Sequence, residues 1–307
     1  MEYFGEVAGL GTALCFALSS LSFGLAGRKA GGLAVNQFRV CAAVVALALW
    51  QFLATGQWWP DADANQIALL VGSGIVGLAI GDLALFYALA VIGPRISSVL
   101  MATSPSMALA VLFCWHGTVP RWEECLGVAV TSIGVVLVLL RQQDGSAWNP
   151  NLNRALRTRA VLAGLLGSLG QAVGLVMAHA AMLPVTDTAE PVPALGATLV
   201  RLLAGCGGIM LVGLLAGHAA AWRKVVQQKV VGHTLAGTLT GPILGVWLSM
   251  VAVQQLGAGI ASALFVTTPL FLLPITRVAY GAKVGWQGLL GTVLTVAGAV
   301  VLVLLEK

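Results

Sequence analysis

The chain has 307 residues, 59% of them hydrophobic and only 9% charged, with a formal net charge of +5. A soluble domain carries roughly 25% charged residues, so this composition excludes an ordinary soluble enzyme or binding module and predicts an all-α integral membrane protein. The distribution of the basic residues points to membrane orientation, and no nucleic-acid partner is expected.

The chain opens with MEYFGEV, which has neither a basic leader region nor a small-residue cleavage site, so the first apolar segment reads as a retained helix. A spanning helix needs about 20 mostly apolar residues. Ten segments qualify, at approximately 6–26, 34–54, 67–91, 96–116, 122–140, 160–183, 195–216, 231–255, 259–279 and 285–305. The links between them are short, which favours one bundle. The longest is the basic stretch RQQDGSAWNPNLNRALRTR, and it divides the chain into a first unit at 1–140, a connecting loop at 141–159 and a second unit at 160–307. The five cysteines (Cys15, Cys41, Cys114, Cys125 and Cys206) lie in or beside apolar segments without paired spacing. They read as small core residues, not as a disulfide framework or metal site.

Shifting the chain by 164 residues aligns its two halves. Gly77 meets Gly241, Gly81 meets Gly245, Gly93 meets Gly257, Thr103 meets Thr267, Pro105 meets Pro269 and Trp122 meets Trp286. Between Gly77 and Leu140, 18 of 64 aligned pairs are identical, and the ordered Gly, Pro, Trp and Thr matches argue for a duplication. Five helices per half is an odd number, so the second half enters from the opposite side, giving two inverted five-helix repeats. The Gly77-x-x-x-Gly81 and Gly241-x-x-x-Gly245 pairs suit close helix contact. Most of the nine tryptophans fall near segment ends, as an interfacial belt does, whereas Trp247 lies deep in the eighth segment.

The stretches SSVLMATSP (97–105) and ASALFVTTP (261–269) stand at corresponding places in the two halves. Pro105 and Pro269 each remove a backbone donor and crowd the carbonyl one turn back, so each helix must bend or open there. In hydrocarbon the freed carbonyls need partners, and Thr103, Ser104, Thr267 and Thr268 bring hydroxyls. Breaks at matching positions of two halves point to a carrier's binding site.

The run IGDLALFYALAVIGPRISSVLMATSPSMALAVLF resembles the third and fourth helices of EamA-type members of the drug/metabolite transporter superfamily, and GPILGVWLSMVAVQQLGAGIASALFVTTPLFLLP resembles the eighth and ninth. Arg39 and Arg201 match an arginine often found early in the second helix of each half. The resemblance covers essentially the whole chain. It implies a ten-helix secondary transporter, usually an exporter of amino acids, metabolites or drugs. One feature departs from the pattern: the glutamate that often follows the glycine ending the fourth and ninth helices is replaced by Thr118 and Ala282.

Asp82 is the only acidic residue inside a spanning segment, where a charge costs about 2.5–3.5 kcal/mol on insertion scales. Intramembrane acids default to function, and the candidate role is proton carriage. The structural alternative is a carboxylate capped by hydroxyls or paired with Arg39. Arg39 enters from the side of the Gly93 turn, within reach of Asp82, although an arginine there can also snorkel to the headgroups. Arg201 is its counterpart on the opposite face. Gln171, Trp247, Tyr87, Thr103, Ser104, Thr267 and Thr268 are the uncharged candidates for lining a pocket, with helix packing as the plainer role for each. There is no nucleophile–base set, metal-ligand spacing, phosphate-binding glycine loop or Walker motif, so no enzyme activity, metal or cofactor is expected.

These features predict a secondary active transporter of the cell membrane, exporting a small molecule by alternating access around a midplane cavity, with protons as the candidate coupling ion. A lipid flippase is the nearest alternative, and an intramembrane enzyme using Asp82 with His179 a more distant one. Loops 1–2, 3–4, 5–6, 7–8 and 9–10 hold 12 Lys and Arg residues, against two on the side with both termini. The short basic loops belong in the cytoplasm, so both termini are predicted to face outward, opposite to the orientation the resemblance implies.

Overall fold

The computed structural model describes residues 3–116, 152–183, 191–268, 271–272, 274–275 and 286–304, with positions 122, 126, 129–130, 133–134 and 137. Every regular element among the described residues is helical. Helix α1 (Phe4–Ala30) passes to α2 (Gly32–Thr55) through Gly31 alone, whose φ of 88° only glycine adopts cheaply. Helix α3 (Ala64–Ser73) begins with a capping box. Asp63 accepts from the backbone N–H groups of Asn65 and Gln66, and the Gln66 side chain accepts from the Asp63 N–H.

No break separates α3 from a π-helical stretch (Gly74–Gly81) and then α4 (Asp82–Met101). Helix α4 reverses at Gly93, with φ 84° and ψ 168°, and after a turn at Ala102 and Thr103 the chain continues as α5 (Ser104–His116). Helix α6 (Arg154–Met182) is capped by Asn153, which accepts from the Leu156 N–H. Then come α7 (Ala194–Leu215), the short α8 (Arg223–Gln227), α9 (Val231–Thr238), a second π-helical stretch (Leu239–Gly245), α10 (Val246–Val266) and α11 (Trp286–Leu304). Helix α10 reverses at Gly257, with φ 80° and ψ 165°. Among the described residues, seven helices are long and apolar enough to cross a membrane. The chain is therefore a multi-pass, all-helical membrane protein.

The 164-residue offset of the sequence reappears as geometry. Both π-helical stretches end one residue before α4 or α10, both reversals use a glycine of the same conformation, and both are followed by a threonine turn. Thr103 Oγ1 donates to the Leu100 carbonyl and Thr267 Oγ1 to the Leu264 carbonyl, each at 2.7 Å. These hydroxyls satisfy carbonyls near the break, which hydrocarbon could not do.

The halves interlock through glycine. Gly77 and Gly81 lie against Gly167, Gly170 and Gly174 of α6, so closely that a Cβ on Gly170 would stand 2.9 Å from the Gly81 Cα. In the second half Gly241 and Gly245 receive Ser19, Phe23 and Phe16 of α1. Thus the third helical run of each half packs on the first helix of the other. The main apolar core, which includes Ala8, Leu70, Leu175, Val200 and Met250, likewise draws on both. Replacing Gly170 by valine forces backbone apart and should lower stability by about 1–3 kcal/mol or more. Gly207→Ala meets nothing within 4 Å and should be neutral or mildly stabilising. Thermal unfolding of both variants in detergent checks the contrast, and equal midpoints would refute the tight contact between the first π-helical stretch and α6.

Candidate functional site

A cavity of about 170 Å³ lies between helices of both halves. One wall is a face of α1, where Phe16, Ser19, Ser20 and Phe23 follow the i, i+3, i+4, i+7 spacing of one helical stripe. Phe86 and Phe265 add aromatic surface from α4 and α10. Hydroxyls from Ser97, Ser98, Ser104, Ser249, Ser262 and Thr268 dot this apolar lining.

Among the described residues three charged side chains face the cavity, and all are buried: Arg39 at 4%, Asp82 at 5% and Arg201 at 2% relative exposure. Asp82 begins α4 directly after the first π-helical stretch. Arg39 Nη2 donates to Asp82 Oδ2 in an ion pair, and Arg39 Nε donates to Asn36 Oδ1 at 2.9 Å. The guanidinium lies over the Phe86 ring, 4.4 Å from its centroid, with Phe23 at 5.5 Å. Gln171 Nε2 donates to Asp82 Oδ1 at 2.8 Å and lies 3.1 Å from the Gly77 carbonyl oxygen. Both carboxylate oxygens of Asp82 are therefore engaged, one by each half of the protein.

Arg201 has a different environment. Nη1 donates to the Met250 sulfur at 3.0 Å, and Nε has no partner. The reason is visible in the repeat. At the position equivalent to Asp82 the second half carries Val246, which also lines the cavity. Three residues before Arg201 stands Thr198 where the first half has Asn36, and the Thr198 hydroxyl is already given to the Ala194 carbonyl.

The sequence profile of the EamA-like transporter family matches residues 3–140 and 159–304. The chain belongs to that family. Its members are transporters, so this is a membrane transporter embedded in a lipid bilayer and taking a small-molecule substrate. No curated protein matches the chain. One crystal structure shares 18% identity and a TM-score of 0.63, over 99% of this chain and 97% of its own, a likeness that carries the fold alone.

Of the residues picked out in the sequence, Asp82, Arg39, Arg201, Gln171, Ser104 and Thr268 line the EamA-like protein's cavity. Four others lie elsewhere. Tyr87 is 39% exposed on the outer side of α4. Trp247 packs against Trp50 of the other half, with centroids 4.8 Å apart. Thr103 shares its hydroxyl between the Leu100 carbonyl and Ser168 Oγ, and Thr267 gives its hydroxyl to Leu264. Pro105 is buried at the start of α5, behind the break rather than on the cavity wall. Pro269, Thr118 and Ala282 lie outside the described residues. His179 does not line the cavity either; its ring meets the Val253 backbone. The α1 stripe was missed because its serines are short and its phenylalanines look like ordinary core, although their helical spacing was readable.

Sequence spacing also hid a thiol pair. Cys41 of α2 and Cys206 of α7 are free, and their sulfurs lie 3.7 Å apart across the two halves.

Proposed function

We propose that this EamA-like protein is a secondary active exporter of a small metabolite, working by alternating access of two inverted five-helix halves around the cavity. The observation that carries the reading is the cluster of Asp82, Arg39 and Gln171, held in a largely apolar cavity and built from both halves. An intramembrane charge cluster at such a seam suits a coupling site. Proton movement is the proposed energy source: protonation of Asp82 would release Arg39 and so couple the proton to the occupancy of the cavity that both line. The ten-helix count, the units at 1–140 and 160–307, the connecting loop at 141–159 and residence in the cell membrane belong to the same proposal, as does outward transport.

Sealed liposomes containing the purified protein test it. A pH gradient should drive accumulation of at least one solute from a panel of amino acids, carboxylic acids and amines beyond that in empty liposomes. Transfer of a fluorescent phospholipid between leaflets, with no solute movement, would replace this reading by the flippase.

Orientation gives an independent check. Twelve Lys and Arg residues fall in the loops joining helices 1–2, 3–4, 5–6, 7–8 and 9–10, all on one side, so both termini are proposed to lie outside on the other. In intact cells, a membrane-impermeant thiol reagent should label a cysteine placed at position 62 and spare one at position 145. The reverse pattern would place both termini in the cytoplasm.

A further inference from the structure

Resting on the carrier reading above, we propose that the cavity receives a small organic monoanion, a carboxylate on an aromatic or branched apolar body, and that Arg201 binds its carboxylate. Among the described residues, the charges facing the cavity are Arg39, Asp82 and Arg201. Arg39 and Asp82 cancel each other in their ion pair, which leaves one positive charge. Among the described residues no carboxylate forms an ion pair with Arg201. A guanidinium 2% exposed with an unpartnered Nε and a thioether as its acceptor is poorly compensated, because sulfur accepts weakly. Its five N–H donors form a fork suited to a carboxylate.

A second orphan group supports the assignment. Ser97 is 1% exposed, lines the same cavity, and its Oγ has no partner. It offers a hydroxyl to an acceptor-rich ligand. Phe16, Phe23, Phe86 and Phe265 form the apolar remainder of the lining. A zwitterionic amino acid fits less well. Its ammonium would need a carboxylate, and both oxygens of Asp82 are already held by Arg39 and Gln171. A cation would raise the uncompensated charge further.

The asymmetry between the repeats makes the assignment specific. The first half answers its arginine with Asp82, and the second half carries Val246 at the equivalent place. Val246 and Met250 are one helical turn apart, and Met250 already touches Arg201. The second arginine has thus been left for a ligand to neutralise.

The test is equilibrium binding to the purified full chain in detergent at neutral pH, by isothermal titration calorimetry. Phenylacetate, phenylacetamide and phenylethylamine present the same ring with negative, neutral and positive charge. Phenylacetate should bind at least tenfold more tightly than the other two. Val246→Asp should weaken phenylacetate at least tenfold by giving Arg201 a resident partner, and Arg201→Met should do the same. Should either variant fail to fold, the charge series on the unsubstituted protein decides alone. No phenylacetate binding at millimolar concentration, equal affinity across the series, or unchanged affinity in a folded variant would overturn the assignment. So would chloride competing as strongly as phenylacetate, which would make the site one for an inorganic ion. Solute movement is not part of this readout. A protein that binds phenylacetate but transports nothing keeps the anion site and loses the carrier reading, whereas one that transports only amines does the opposite.

Discussion

Asp82→Ala should destabilise the protein by about 3–5 kcal/mol and abolish transport, because it leaves Arg39 charged, buried and without its counter-ion. Asp82→Asn should behave similarly in stability, since an amide keeps the shape but not the charge. Removing both charges together separates structure from coupling. The combination Arg39→Met with Asp82→Asn takes out the ion pair as a neutral unit, and most of the lost stability should return. It would still forfeit the guanidinium's contact with the Phe86 ring, so recovery falls short of complete. In that folded double variant, accumulation driven by a pH gradient should be gone while solute exchange persists. Thermal unfolding and liposome uptake measured on the single and double variants decide the matter. Gradient-driven accumulation in the double variant would exclude Asp82 as the proton carrier.

The pairing of Asp82 with Arg39 was within reach of sequence reasoning, because helix rise and the Gly93 turn place them at similar depth. The glycine reversals were readable for the same reason: a repeated glycine at matched positions marks the turn, and both adopt the same positive φ. The π-helical stretches were not. A π segment differs from an α segment by the partner each N–H finds, and Gly74–Gly81 contains no proline to announce the change. Nor does spacing distinguish hydroxyls that face a cavity from hydroxyls that repair a helix break. Thr103 and Thr267 do only the second, Thr268 lines the cavity as well as donating to the Phe265 carbonyl, and all three look alike in one dimension. The special status of Arg201 was hidden in plain alignment: Asp82 against Val246 is one mismatch among many until the cavity is seen.

Oxidative linkage of Cys41 to Cys206 should stop transport completely and reversibly. The two sulfurs lie 3.7 Å apart, on α2 of the first half and α7 of the second. A disulfide needs about 2.05 Å, so a shift well under the size of a side-chain rotation brings them together. Copper phenanthroline would take two electrons from the thiols, whose two protons are released as the S–S bond forms. If alternating access rocks one half against the other, this seam must slide or open, and a covalent link across it holds the carrier in one state. The experiment uses a chain with Cys15, Cys114 and Cys125 replaced by alanine, so that the native pair alone reacts. Uptake into liposomes should vanish on oxidation, return with dithiothreitol, and resist oxidant when Cys41 is also replaced by serine. Uptake that continues after mass spectrometry has shown the link to be complete would mean that α2 and α7 travel together. The moving boundary would then have to lie elsewhere, with the glycine contact between the π-helical stretch and α6 as the next surface to test.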